Sequence, residues 1–79
     1  MNTEHLVQMA NQIGSFFQSY TDSAEARQGI ATHIRKFWEP RMRKLILECP
    51  QKGQASGLDA LVLQALQEHR ATLQPQTAG

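Results

Sequence analysis

The sequence predicts an all-α chain: a small bundle of three to four short helices, with a proline bend between helices two and three. Three observations carry this. Apolar residues recur at spacings of three and four along most of the chain, and no stretch alternates as a strand does. Proline and glycine punctuate the pattern at a few places instead of interrupting it throughout. The 79 residues, 41% of them apolar and with a net charge of +1, suffice for one core and no more. A single helical domain over residues 1–73 with a flexible tail over 74–79 is the expected organisation, without internal repeats.

The first helix is read from Leu6, Met9, Ala10, Ile13, Phe16, Phe17 and Tyr20. At about 100° per residue these fall within an arc of roughly 120°, a defined stripe to bury. Thr3 is the expected N-cap, with Glu4 in the first turn where its charge suits the helix dipole. Tyr20 to Ser23 breaks the pattern, and Asp22 followed three residues on by Glu25 starts a second helix as a capping-box variant. That helix sets Ala26, Ile30, Ile34 and Phe37 on one side, with His33 and Trp38 at the edges of the stripe. Pro40 ends it, because the residue before a proline is pushed out of the α region. Pro40 also suits the first position of a third helix, expected to run to about Cys49 with Met42, Leu45, Ile46 and Cys49 facing inward. Residues 50–57, with Pro50, Gly53 and Gly57, read as a flexible loop. The last helix uses Leu58, Leu61, Val62, Ala65, Leu66 and Leu73, with Ser56 or Asp59 to cap its start.

Composition narrows the function. A chain this short has little room for a core and a substrate cleft together, so an enzyme is not expected. Its one cysteine, Cys49, offers no crosslink, which leaves helix packing or a partner as the source of stability. No secretory n-region opens the chain, and no apolar run approaches the ~18 residues of a membrane span. A cytoplasmic chain with no membrane contact is expected. His5, His33, His69 and Cys49 share no metal-ligand spacing. The glycines follow no strand, so phosphate-cradling loops are absent. No catalytic, cofactor or metal residue is therefore assigned.

Two features point to a protein partner. The outer face of the first helix carries Gln8, Asn11, Gln12, Ser15, Gln18 and Ser19, polar but without charge. Amides and hydroxyls of this kind suit an interface where a charge would be stranded. The second feature is the bend, where Phe37 and Trp38 stand beside Pro40, Arg41 and Met42. Trp, Arg and Met are enriched in interface centres, and Trp and Arg in hot spots. Phe37, with Met42, is expected in the chain's own core, whereas Trp38 at the stripe edge is hard to bury in so small a bundle. Trp38 and Arg41 are thus the expected anchors, with His33 and Arg35 lending polar contacts, Pro40 and Met42 completing the bend, and Asn11 and Gln12 contributing from the first helix. Arg35, Lys36, Arg41, Arg43 and Lys44 also crowd into ten positions. A nucleic-acid-associated regulator or free-standing helical adaptor is the alternative, although a net charge of only +1 and the lack of a helix-turn-helix spacing make nucleic acid the weaker reading.

The run His33-Ile34-Arg35-Lys36-Phe37-Trp38-Glu39-Pro40-Arg41-Met42-Arg43, preceded by Met9-Ala10-Asn11-Gln12-Ile13 and Phe16-Phe17, resembles the small delta subunit of bacterial NAD-dependent, molybdenum-containing formate dehydrogenase. The resemblance covers residues 4–48 well and 57–66 loosely; Gly57-Leu58-Asp59-Ala60-Leu61-Val62 has alanine where that family often has proline. It implies a non-catalytic accessory subunit that stabilises the alpha subunit and assists maturation of its molybdenum cofactor. The alpha subunit is then the main contact, with beta and gamma subunits in the same complex. Formate oxidation, the molybdenum bis-pterin guanine dinucleotide, the iron–sulfur clusters and the FMN that passes electrons to NAD would all reside in other subunits.

Overall fold

The computed structural model describes residues 2–75, so the part of the expected tail beyond Pro75 lies outside the described residues. Five α-helices follow one another: α1 (Thr3–Phe17), α2 (Ser23–Phe37), α3 (Pro40–Ile46), α4 (Ala60–Glu68) and α5 (Arg70–Leu73). The expected all-α bundle with its proline bend is what the chain forms. Residues Cys49–Ser56, expected as a flexible loop, are instead 3₁₀ turns kinked at Gly53, whose φ of 58° only glycine adopts without strain. Cys49 belongs to these turns and not to α3.

The helix starts follow capping chemistry. Asn2, not Thr3, caps α1: its Oδ1 accepts from the Glu4 amide at 2.8 Å. Asp22 caps α2 as expected, with Oδ1 accepting from the amides of Ala24 at 2.8 Å and Glu25 at 3.4 Å. Pro40 opens α3 behind Glu39, whose side chain makes no cap bond. The last helix begins at Ala60, two residues later than Leu58, and breaks at His69 before the single turn of α5.

α2 lies at the centre, packed on α1, α4 and α5, while α3 packs on α1. The core joins Leu6, Ala10, Ile30, Ile34, Ile46, Val62, Ala65, Leu66 and Leu73, all at most 2% exposed. The stripe of α1 is turned from its expected position. Val7 and Gly14 are buried, whereas Phe16 and Tyr20 stand out at 68% and 43% exposure. The cause is α4: a Cβ on Gly14 would collide with Val62 Cγ2, so the missing side chain lets the two helices close on that side. Gly29 does the same for Phe17, whose ring lies across α2 where a Cβ would be.

Three polar ties fix the last helices. Asn11 donates from Nδ2 to the Gly57 carbonyl at 3.0 Å and accepts from the Asp59 amide at 2.9 Å, pinning the approach to α4 onto α1. Arg27 reaches from α2 to Glu68 on α4 at 2.5 Å and to Ser23 Oγ at 2.6 Å. Arg70 donates to the Leu47 carbonyl at 2.8 Å, tying α5 to the end of α3.

Candidate functional site

The bend is built from a change of backbone phase. α2 ends at Phe37, and Trp38 is already extended, with φ −94° and ψ 134°. Trp38 N–H still bonds the Ile34 carbonyl at 2.9 Å, so its side chain keeps the helical phase, on the side of buried Ala31 and Ile34, and the extended ψ turns only the chain that follows. Trp38 is 6% exposed and joins the core, and Phe37 is left at 72% exposure. The two expectations are therefore exchanged: Phe37 is not a core residue, and Trp38 is not available at the surface. Met42 is half-buried and packs against the core from below.

On the solvent side, His33 stacks on Phe37 with ring centres 4.8 Å apart and planes tilted by 46°. Phe16, Phe17 and Tyr20 continue the aromatic surface, Phe17 meeting Phe16 edge-on at 5.0 Å and Tyr20 at 5.0 Å. Between these clusters runs a shallow groove of about 550 Å³ floored by Gly29 and walled by Phe17, Tyr20, His33, Lys36 and Phe37. Beyond Lys36 the surface turns basic. Arg35, Pro40, Arg41 and Lys44 are exposed and Arg43 is half-buried. Among the described residues none of these cations makes an ion pair; the pair present joins Arg27 to Glu68.

The residues expected on α1 separate. Gln12 is exposed, in a hollow with Gln8, Ser15 and Asp59. Asn11 is half-buried, and its amide is spent on Gly57 and Asp59, so its place on an uncharged outer face is corrected to an internal tie. The structure thus puts His33 with Phe37 at the aromatic groove and Arg35 and Pro40 in a separate hollow with Arg43, the two meeting at Lys36; Arg41 is exposed, Trp38 is buried and Asn11 is turned to the chain's own backbone. Phe37 is the surface residue that periodicity missed. The signal that could have found it is Ala31, whose burial with Ile34 centres the stripe toward Trp38 and leaves Phe37 at its far edge.

The remaining groups form no reactive constellation. Burial pushes the Cys49 thiol above its ordinary pKa; Lys52 opposes this and Glu48 adds to it. Such a thiol is protonated near neutral pH and is a poor nucleophile. Among the described residues no three of His, Cys, Asp and Glu come together as metal ligands. An iron–sulfur cluster needs several thiolates, and one buried thiol does not fit that demand. No described helix is long and apolar enough to cross a membrane.

No curated protein and no solved structure matches the chain. A family model does, that of the NADH-dependent formate dehydrogenase delta subunit FdsD, over residues 5–66. The matched span runs from α1 through most of α4 and contains the bend, the aromatic groove and the basic face, as the His33–Arg43 run and the Met9–Ile13 stretch lead one to expect. The chain therefore belongs to the family of formate dehydrogenase delta subunits.

Proposed function

We propose that this chain is a non-catalytic accessory subunit of a cytoplasmic, NAD-dependent formate dehydrogenase, where it docks on the alpha subunit, stabilises it and assists maturation of its molybdenum cofactor. In this reading the molybdenum bis-pterin guanine dinucleotide, the iron–sulfur clusters and the FMN reside in the alpha subunit and in the beta and gamma subunits associated with it. The observation that carries the reading is the 72% exposure of Phe37, stacked on His33 at the edge of the aromatic groove, in a chain of this family. Exposing a phenylalanine at a helix end wastes apolar area that a partner would cover.

The docking face is His33, Arg35, Phe37, Pro40 and Arg41, with Gln12 at its periphery. Phe37 takes the anchoring place expected of Trp38, while Trp38, Met42 and Asn11 act by holding the surface in shape. Arg41, exposed and free of any ion pair among the described residues, offers a planar fork that binds a carboxylate at two points.

Co-expression of tagged chain with the alpha subunit tests this. Phe37→Ala and Arg41→Ala are expected to lower co-purification and the molybdenum content of the recovered enzyme, while helicity of the free chain stays unchanged. Arg41→Lys should also weaken recovery, since it keeps charge and loses the fork. Full recovery of molybdenum-loaded enzyme with both alanine variants would remove the docking role from this face.

A further inference from the structure

Behind the bend, the C-terminal end of α2, the start of α3 and the end of α5 enclose a cleft of about 730 Å³ lined by Arg35, Lys36, Pro40, Arg43, Thr72 and Gln74. With Ala71 the lining residues number seven, and three of them are cations. Among the described residues no carboxylate lines the cleft, and Glu39, the one acid among residues 35–44, pairs with none of them. The Arg43 guanidinium is the telling group. Its Nε is sealed from solvent and has no hydrogen-bond partner among the described residues. Among the described residues its terminal nitrogens make no hydrogen bond either, so they remain for an acceptor from outside the chain.

We propose that this cleft is a carboxylate-recognition site that takes an acidic segment of a protein partner, with Arg43 as its deepest contact. The proposal rests on the function above only in taking that partner to be the alpha subunit. An incoming Asp or Glu engages the terminal nitrogens of the Arg43 guanidinium, since Nε is closed even to water, and Arg35 and Lys36 hold the charge at the mouth. Thr72 and Gln74 add neutral donors on the α5 side. The size of the cleft favours a segment with more than one acidic side chain over a single small anion. Lys36 also walls the aromatic groove, so one segment can lay an apolar residue against Phe37 and its acids against Arg35 and Arg43. Nucleic acid is disfavoured by the rest of the surface, since the whole chain carries only +1 and a phosphate backbone wants a longer basic track.

The test uses the assembled complex. Treatment with a zero-length carbodiimide, which joins amines to carboxylates, should couple Lys36 to an Asp or Glu of the alpha subunit, identified by peptide mass. Arg43→Gln and the exposed double change Arg35→Glu/Lys36→Glu should each weaken retention of the alpha subunit by roughly thirtyfold or more and flatten its salt dependence. If Arg43→Gln reduces helicity, the exposed double variant decides the matter by itself. Should wild type fail to retain the alpha subunit, the proposed function falls. Should wild type retain it with all variants equal and Lys36 uncoupled, the cleft assignment falls and the function stands. A labelled 20-nucleotide single strand, bound by wild type and released by Arg35→Glu/Lys36→Glu while the complex is unaffected, would overturn the protein-segment assignment in favour of nucleic acid.

Discussion

Neighbouring aromatics at the bend should answer to truncation in opposite ways. Trp38 is 6% exposed and belongs to the same core as Ile34, Ile46 and Leu73, whereas Phe37 is 72% exposed. Removing a buried tryptophan side chain costs about 3–5 kcal/mol, from lost burial and the cavity left behind. A domain of this length has roughly 4–12 kcal/mol in all, at about 0.05–0.15 per residue. Trp38→Ala thus removes between a quarter and the whole of the stability. At about 4–8 °C per kcal/mol for a domain of this size, the midpoint falls by roughly 12–40 °C, or the chain unfolds at room temperature. Phe37→Ala, by contrast, should move stability by no more than about 0.5 kcal/mol, the usual range for a surface change. Circular dichroism melts of the two free variants separate these outcomes, and co-purification with the alpha subunit adds the functional arm. Phe37→Ala is expected to keep its melting curve and lose its partner. A Trp38→Ala chain that melts like wild type, beside a Phe37→Ala chain that is destabilised, would show the bend to be turned the other way.

Gly14→Ala gains about 1 kcal/mol of helix propensity but forces a methyl group into Val62, an overpacking cost of about 1–3 kcal/mol. The net change in urea melts should be destabilising, and a double-mutant cycle with Val62→Ala should show favourable coupling; a stabilised Gly14→Ala would refute the close contact of α1 and α4. Asn11→Ala loses both ties to residues 57 and 59, at about 1–3 kcal/mol, and hydrogen exchange of the Asp59 amide should accelerate. Cys49 gives a pH dependence of defined sign. Its folded pKa is raised above the ordinary 9.0, so both states are protonated below that value and the thiol contributes no slope there. Above it the unfolded chain loses the proton first, and stability falls as pH rises toward the folded pKa. Urea midpoints compared with a Cys49→Ala control should show this fall, and an identical pH profile in the two proteins would contradict it.

Periodicity captured most of the architecture because most of the core lies within regular helices, where the 100° step holds. Ala26, Ile30, Ile34, Val62, Ala65 and Leu66 face inward as their spacing requires. It failed where that step stops. Phe37 fits the α2 stripe by counting, but it is the last helical residue, at the stripe's outer edge, and remains 72% exposed. Gly14 was invisible for another reason: hydrophobic patterning records side chains, and its contribution is to have none. Asn11 looked like one more uncharged polar residue on α1. Its pairing with Gly57 and Asp59, 46 and 48 residues away, is a tertiary fact without a local signature. The basic run was legible as a cluster, but the cleft behind it was not, because Thr72 and Gln74 reach it only after the chain has folded back.

That return of the chain also sets an order of events during synthesis. The seam formed by Ala10, Gly14, Ile30 and Ile34 is laid down early, and what packs over it is Val62, Ala65, Leu66 and Leu73. Contacts so far apart in sequence form late, because the intervening loop must close before they yield anything. While residues 58–73 are still within the ribosome, the emerging α1–α2 hairpin shows an open apolar seam in addition to its aromatic face. Both the Phe37 surface and the Arg43 cleft depend on that closure, the first through Trp38 buried beneath it and the second through α5. A nascent chain therefore acquires the proposed docking surface in one late step, and it carries an exposed core, attractive to chaperones and to other hydrophobic chains, until then.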